Sequence, residues 1–230
     1  MNKEKIDFHK SRREEFAKLI SDDSIALIFG NTHINRSYDA NYSFKQHKNF
    51  YYLTGFREPD SVLMLSNSGI RYYDYETKKE VVSKEILFVQ EKDSKKETWT
   101  GIRLGAENVK KTLGINDAKE NFDLPDFLSY NLFKGYKKVY FNFADALALT
   151  GDIKEFTTQF FDGLRSLAPS VQLIDSSYIL GKMRRRKAPY ELKMMQQAAD
   201  LSADAFNETM KKIKPGMNEY QVQASLEYYY

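Results

Sequence analysis

The sequence predicts an α/β fold on a mixed sheet, followed by a smaller helical unit. Three observations carry this. Short apolar runs of strand length alternate with helix-period segments from Ser24 to Ile174. The composition then shifts at Asp175 to a basic run and a new, longer periodicity. Finally, 42% hydrophobic residues over 230 positions supply enough apolar surface for a packed core.

The elements follow in order. Phe8, Phe16, Leu19 and Ile20 among many charges predict an amphipathic helix from Phe8 to Ile20, ended near Ser21-Asp22-Asp23. Ser24 to Phe29 reads as a buried strand closed by Gly30 and Asn31. Val62 to Leu65 and Glu85 to Val89 read as strands of an antiparallel meander, with Asn67-Ser68-Gly69 as a turn before Arg71 to Tyr75. Ala106 to Leu113 is expected to be helical, Lys138 to Asn142 a strand, Ile153 to Leu167 a helix and Val171 to Ile174 a strand. A domain boundary is expected at Asp175, giving a first domain of residues 1–174 and a second segment of residues 175–230.

In that second segment Pro189 starts a long helix and Pro215-Gly216 ends it, with Asn218 capping a further helix to the terminus. Leu192, Met195, Ala199, Phe206, Met210 and Ile213 fall on one apolar stripe. Burying each large side chain of such a stripe contributes about 1.5–3 kcal/mol, so the stripe is expected to be covered. The first domain, another chain or a continuation past Tyr230 would each do so, and the uncapped Tyr228-Tyr229-Tyr230 favours a continuation.

Several function classes are disfavoured. A net charge of +3 on a balanced surface gives no clustered basic face for nucleic acid, and Arg184-Arg185-Arg186-Lys187 is too short a run to change that. Without cysteine there is no disulfide framework, thiolate site or cysteine nucleophile. The charged start Met1-Asn2-Lys3-Glu4-Lys5 is unlike a secretory signal, and no run of about 18 apolar residues occurs, so no membrane span is expected. A cytoplasmic protein is the resulting expectation. His9, His33 and His47 stand in no metal-ligand spacing, and no nucleophile elbow, P-loop or dinucleotide fingerprint is present.

Three features remain as candidates. Arg36 and Asp39 would either bind a ligand through charge-assisted bonds or pair locally to pin an aromatic loop. Phe50, Tyr51, Tyr52 and Phe56 would line a pocket or, more simply, fill the core. Trp99 is the sole tryptophan; its Thr, Gly and charged neighbours place it on a loop, as a contact residue or as an anchor packed on its own domain.

Four segments together resemble the aminopeptidase P family of the creatinase/prolidase superfamily. They are Arg36-Ser37-x-Asp39 with Phe44; Phe50-x-Tyr52-Leu53-Thr54-Gly55-Phe56-x-Glu58-Pro59; Trp99-x-Gly101-x-Arg103-x-Gly105; and Met183-Arg184 with Lys187-Ala188-Pro189-x-Glu191, Ala198-Ala199 and Lys214-Pro215-Gly216-Met217-x-Glu219. The resemblance implies a three-layer α/β N-terminal domain with a mixed sheet, followed by the truncated start of a pita-bread domain. It implies a parent enzyme that removes the residue before proline from proline-containing peptides, using two manganese ions held by two Asp, one His and two Glu. No segment here matches that ligand set, so no catalytic residue and no metal ligand is expected in this chain. The resemblance further implies a homodimer or homotetramer assembled by the N-terminal domain, with Trp99 reaching a neighbouring subunit's active site. Lys45 and Ala188 depart from the family pattern; the first weakens a bidentate contact and the second loses a helix cap worth about 1 kcal/mol. A non-enzymatic binding module of the same superfamily and a dipeptide-specific prolidase remain alternatives.

Overall fold

A computed structural model of the chain describes residues 2–75, 77–133, 135–142, 160–166 and 168–230. Two compact units result, with the division between Met183 and Arg184.

The first unit is ordered around β1 (Ser24–Phe29), whose run Ile25-Ala26-Leu27-Ile28 is apolar on both faces because both are covered. On one side β1 pairs antiparallel with β4 (Val62–Asp74), with Ala26 opposite Leu65, and on the other it runs parallel to β7 (Lys138–Phe141), with Ile25 opposite Val139. With β5 (Lys79–Val89), β6 (Asp117–Glu120) and β8 (Gln172–Asp175) the sheet order is β6-β5-β4-β1-β7-β8. Only β4 among these strands runs against the rest, which makes the sheet mixed.

Side chains alternate between two helical layers. Ile25, Leu27, Met64, Ile86, Phe88 and Val139 meet Leu124 and Leu128 of α5 (Leu124–Phe133) and Phe161 and Leu164 of the helical residues 160–166. Ala26, Ile28, Leu63, Leu65 and Leu87 are buried on the opposite face, where α1 (Lys3–Leu19), α2 (Lys48–Thr54) and α4 (Gly105–Leu113) pack. The three layers expected from the resemblance are therefore present. The predicted helix Ile153 to Leu167 falls partly outside the described residues.

Several local expectations are corrected. Asn67-Ser68-Gly69 is no turn: β4 continues through it as a bulge, the register with β5 jumping from Leu65–Glu85 to Ile70–Ser83. The extra residues are held by side chains, since Ser66 Oγ donates to the Ser24 carbonyl at 2.9 Å and Asn67 donates to Asp22. Asn131 of α5 pairs with both backbone groups of Arg71, at 2.8 Å each, where the ladder resumes. The aromatic run before it is a helix, α2, capped by His47 and stopped at Gly55. Gly55 has φ 67°, and a Cβ there would stand 2.5 Å from the His9 ring, so only glycine fits. Phe50, Tyr52 and Phe56 are core residues, and Tyr51 is half-buried.

One polar group joins these layers. Arg13 on α1 is 0% exposed and donates to both oxygens of Glu85 on β5, at 2.7 and 3.2 Å. Its other donors reach the Leu53 carbonyl of α2 and the Gly114 carbonyl after α4, each at 3.0 Å, and Glu85 also accepts the Asn116 amide at 3.1 Å. Nearby, buried His9 donates from Nδ1 to the Tyr52 carbonyl at 3.0 Å, which leaves Nε2 buried without a hydrogen-bond partner. Burial lowers its pKa from 6.5 to about 4; the Lys5 and Arg13 charges lower it too, against the Tyr52 carbonyl.

The second unit holds α7 (Pro189–Lys212) and α8 (Glu219–Glu227), which pack on one another; α6 (Ser177–Arg185) bridges the division, burying Leu180 and Met183. Glu191 accepts the Ala188 amide at 2.9 Å, while Ala188 offers no acceptor in return, so α7 has half a capping box. Leu192, Met195, Phe206, Met210 and Ile213 of the predicted stripe are all exposed.

Two stability predictions follow from the buried polar groups. Arg13→Met should strand Glu85 and cost about 3–5 kcal/mol in urea unfolding, whereas Arg13→Met with Glu85→Leu should recover most of that loss. The unfolded state binds a proton at His9 below pH 6.5 and the folded state only below about 4, so stability is full above that window and falls as pH drops through it. Unfolding midpoints from pH 7 to 4 should show a decline worth up to about 3 kcal/mol that is absent in His9→Phe.

Candidate functional site

β5 and β6 run parallel, and both end at the same edge of the sheet. A cleft of about 300 Å³ lies there, lined by Gln90 and Glu91 after β5, Asn121 and Phe122 after β6, Asp93 before α3 (Ser94–Thr100), Lys96, Glu97 and Thr100 on α3, and Arg103 beyond it.

Trp99 sits on α3, which corrects the loop predicted for it. Asp93 caps the helix by accepting the Lys95 amide at 2.9 Å, and Gly101 ends it, its φ of 82° turning the chain while its amide donates to Glu97 at 3.0 Å. Seven residues make too short a helix to be stable alone, and α3 buries none of its side chains. Trp99 is 90% exposed and stacks on no described ring, so it is not an anchor packed on its own unit. Ile102 and Phe122 are exposed beside the same segment.

The chain on both sides of this helix is tied to the sheet edge by polar side chains. Gln46 accepts the Asn31 and His47 amides at 2.7 and 2.8 Å and donates to the Glu58 carbonyl at 2.8 Å. Glu58 then accepts the Leu104 amide at 3.0 Å, and Glu97 accepts the Arg103 amide at 2.9 Å. Asp60, with φ 54°, accepts from Gln90 at 2.6 Å on its side chain and from Asn121 at 3.1 Å on its carbonyl, while its amide donates to Asn31 at 3.0 Å. Three carboxylates here are pushed above the usual range. Burial raises Glu58, opposed by the Leu104 amide and the Arg103 charge; burial raises Asp60, opposed by His33, Arg103 and Gln90; and burial with the charges of Glu91 and Asp123 raises Glu120.

Arg36 and Asp39 lie elsewhere, on a small hairpin of β2 (Asn35–Ser37) and β3 (Ala40–Asn41) around Tyr38, which has φ 47°. Both are exposed, and Arg36 stands over the Tyr42 ring at 5.8 Å rather than pairing with Asp39. The structure does not bring them together with Trp99 in any described contact. Glu58 enters the sequence reading only as part of the motif that ends in Glu58-Pro59, without a role of its own, and Gln46 and Asp60 stand among none of its candidate site residues.

Among the described residues no three His, Asp or Glu side chains converge as a group able to hold a metal ion, and no helix is long and apolar enough to cross a membrane. The described donors form no set that fits a metal pair.

Comparison with known proteins places this geometry in context. The profile of the aminopeptidase P N-terminal domain matches residues 9–140, and that of metallopeptidase family M24 matches residues 193–230. The Xaa-Pro aminopeptidase 3 of Dictyostelium discoideum is 32% identical over 95% of this chain and 41% of its own length. The Xaa-Pro aminopeptidase of Escherichia coli is 28% identical over 94% of this chain and 47% of its own. Among solved structures, the Pseudomonas aeruginosa aminopeptidase PepP superposes with a TM-score of 0.80 at 27% identity, covering 97% of this chain and 48% of that one. Proline aminopeptidase P II from Yersinia pestis superposes with a TM-score of 0.77 at 26% identity, covering 97% and 49%. The chain spans less than half the length of these relatives.

Proposed function

The chain belongs to the aminopeptidase P N-terminal domain family, and we propose that it is the N-terminal portion of a manganese-dependent Xaa-Pro aminopeptidase, releasing the first residue of peptides with proline second. In this reading residues 1–174 form the assembly and substrate-gating domain of a cytoplasmic homodimer or homotetramer. Residues 175–230 open an M24 catalytic domain whose later residues bind the metals and cover the apolar stripe of α7. Two such ions supply an activated water and stabilise the tetrahedral species when bound. The described His, Asp and Glu side chains of this chain form no set that would hold them.

The observation that carries the gating role is the placement of Trp99. Its indole gains nothing from its own unit at 90% exposure, yet an indole buries roughly 150–250 Å² when covered and dominates contacts where it does so. Held outward beside the cleft, it is available to close over a peptide bound in a neighbouring subunit. A short peptide, with few contacts of its own, would depend most on that wall.

In the natural-length protein, Trp99→Ala should lower kcat/KM for an Xaa-Pro-Xaa tripeptide about tenfold, the size expected for one truncated contact aromatic, and affect long peptides less. Chelation should abolish release of the N-terminal residue and manganese restore it. Unchanged tripeptide kinetics in Trp99→Ala would remove the gating role, and metal-independent cleavage would remove the peptidase assignment.

A further inference from the structure

We propose that Glu58 is the positioning residue of Trp99, holding α3 to the body of the domain through the Leu104 amide. The consequence for peptide turnover rests on the gating reading above, whereas the clamp itself does not.

α3 lacks the usual means of fixing a helix. It is seven residues long and buries no side chain, so apolar packing does not determine where its indole points. Its orientation passes instead through its covalent ends and the bonds of the residues that follow. Of those, Arg103 donates to Glu97, which lies on α3 itself and only closes the segment on its own helix. Among the described residues, Glu58 is the one side chain from outside residues 93–108 that hydrogen-bonds the stretch from Ser94 to Leu104. Remove it and the segment keeps its internal structure but loses its tie to the sheet.

Glu58 is itself well fixed. Its carbonyl accepts the Gln46 side-chain amide at 2.8 Å, and Gln46 is anchored by the backbone after β1. Two residues on, Asp60 is locked between Asn31, Gln90 and Asn121. Oε1 of Glu58 takes the Leu104 amide, while Oε2 is buried with no hydrogen-bond partner. Burying a carboxylate in that state is costly, and a merely solubilising glutamate would not be held so. Of the two oxygens only Oε1 has a hydrogen-bond partner, so the bond to Leu104 is the one this side chain makes.

The single tryptophan makes the test direct. Time-resolved fluorescence anisotropy of Trp99 in the 230-residue chain reads the freedom of α3, with circular dichroism and thermal unfolding reporting whether each variant is folded. Glu58→Ala should lose residual anisotropy while Glu58→Gln, whose Oε1 accepts the same amide, keeps it. Leu104→Pro deletes the donor instead of the acceptor. Leu104 has φ −69°, within the range of proline, so this variant should fold and match Glu58→Ala, and it decides the matter if Glu58→Ala does not fold. Folded Glu58→Ala or Leu104→Pro protein with wild-type anisotropy overturns the proposal, as does a Glu58→Gln variant as mobile as Glu58→Ala.

In the natural-length protein the clamp predicts a raised tripeptide KM for Glu58→Ala, and no further loss when it is combined with Trp99→Ala. If Trp99→Ala is kinetically silent while Glu58→Ala frees the indole, the gating reading fails and the clamp stands. If Trp99→Ala slows turnover but Glu58→Ala leaves anisotropy unchanged, the clamp fails and the gating reading stands.

Discussion

The fold depends first on one buried guanidinium. Taking Arg13 and Glu85 out of water costs several kcal/mol per ion, which is offset because each guanidinium nitrogen and each carboxylate oxygen has a partner. Those partners are backbone groups at the ends of other elements: the Leu53 carbonyl in the last turn of α2, the Gly114 carbonyl at the end of α4 and the Asn116 amide just before β6. Helix ends leave such carbonyls unpaired, and here one side chain satisfies two of them. The helical layer of α1, α2 and α4 is thereby tied to β5 by polar bonds, beside the apolar packing of Phe16, Phe50 and Leu53.

From that tie the order runs outward to the sheet edge. A fixed α2 ends at Gly55 against His9, and the chain that leaves it passes through Phe56, Glu58 and Asp60 before entering β4. Gln46, on the other side of α2, ties that passage to the end of β1. The result is a rim tied by polar bonds to backbone beside a helix without buried side chains. In the proposed reading that rim presents Trp99 without spending apolar surface on holding it.

The parts of this structure legible in the sequence are those whose burial is periodic and two-sided. β1, α4 and β7 follow their hydrophobic patterns closely, because local periodicity and tertiary burial agree there, whereas α7 is legible from its stripe and from Pro189 and Pro215-Gly216 although that stripe is exposed. α2 was hidden by its composition: seven residues rich in aromatics have no helical period to show, and its start depends on the His47 ring and its end on Gly55. Asn67-Ser68-Gly69 reads as a turn because turn chemistry and bulge chemistry use the same residues; the pairing partner, Glu85 or Ser83, is not local information. Trp99 stands out in the sequence as a lone aromatic among polar residues, but its short helix does not, since seven residues without a buried face carry no helical period. Spacing alone sets Arg36 and Asp39 together, as ligand contacts or as a local pair, whereas the hairpin about Tyr38 turns Arg36 onto Tyr42.

The central claim is that a rigid N-terminal rim offers Trp99 to another polypeptide copy. Its most direct test is a photo-reactive residue substituted at position 99 of the natural-length protein, irradiated with a slowly cleaved proline peptide present and read by mass spectrometry of mixed isotope-labelled copies. Cross-links joining differently labelled copies, or joining position 99 to the peptide, are the expected result. Cross-links confined to the chain that carries the probe would contradict the claim.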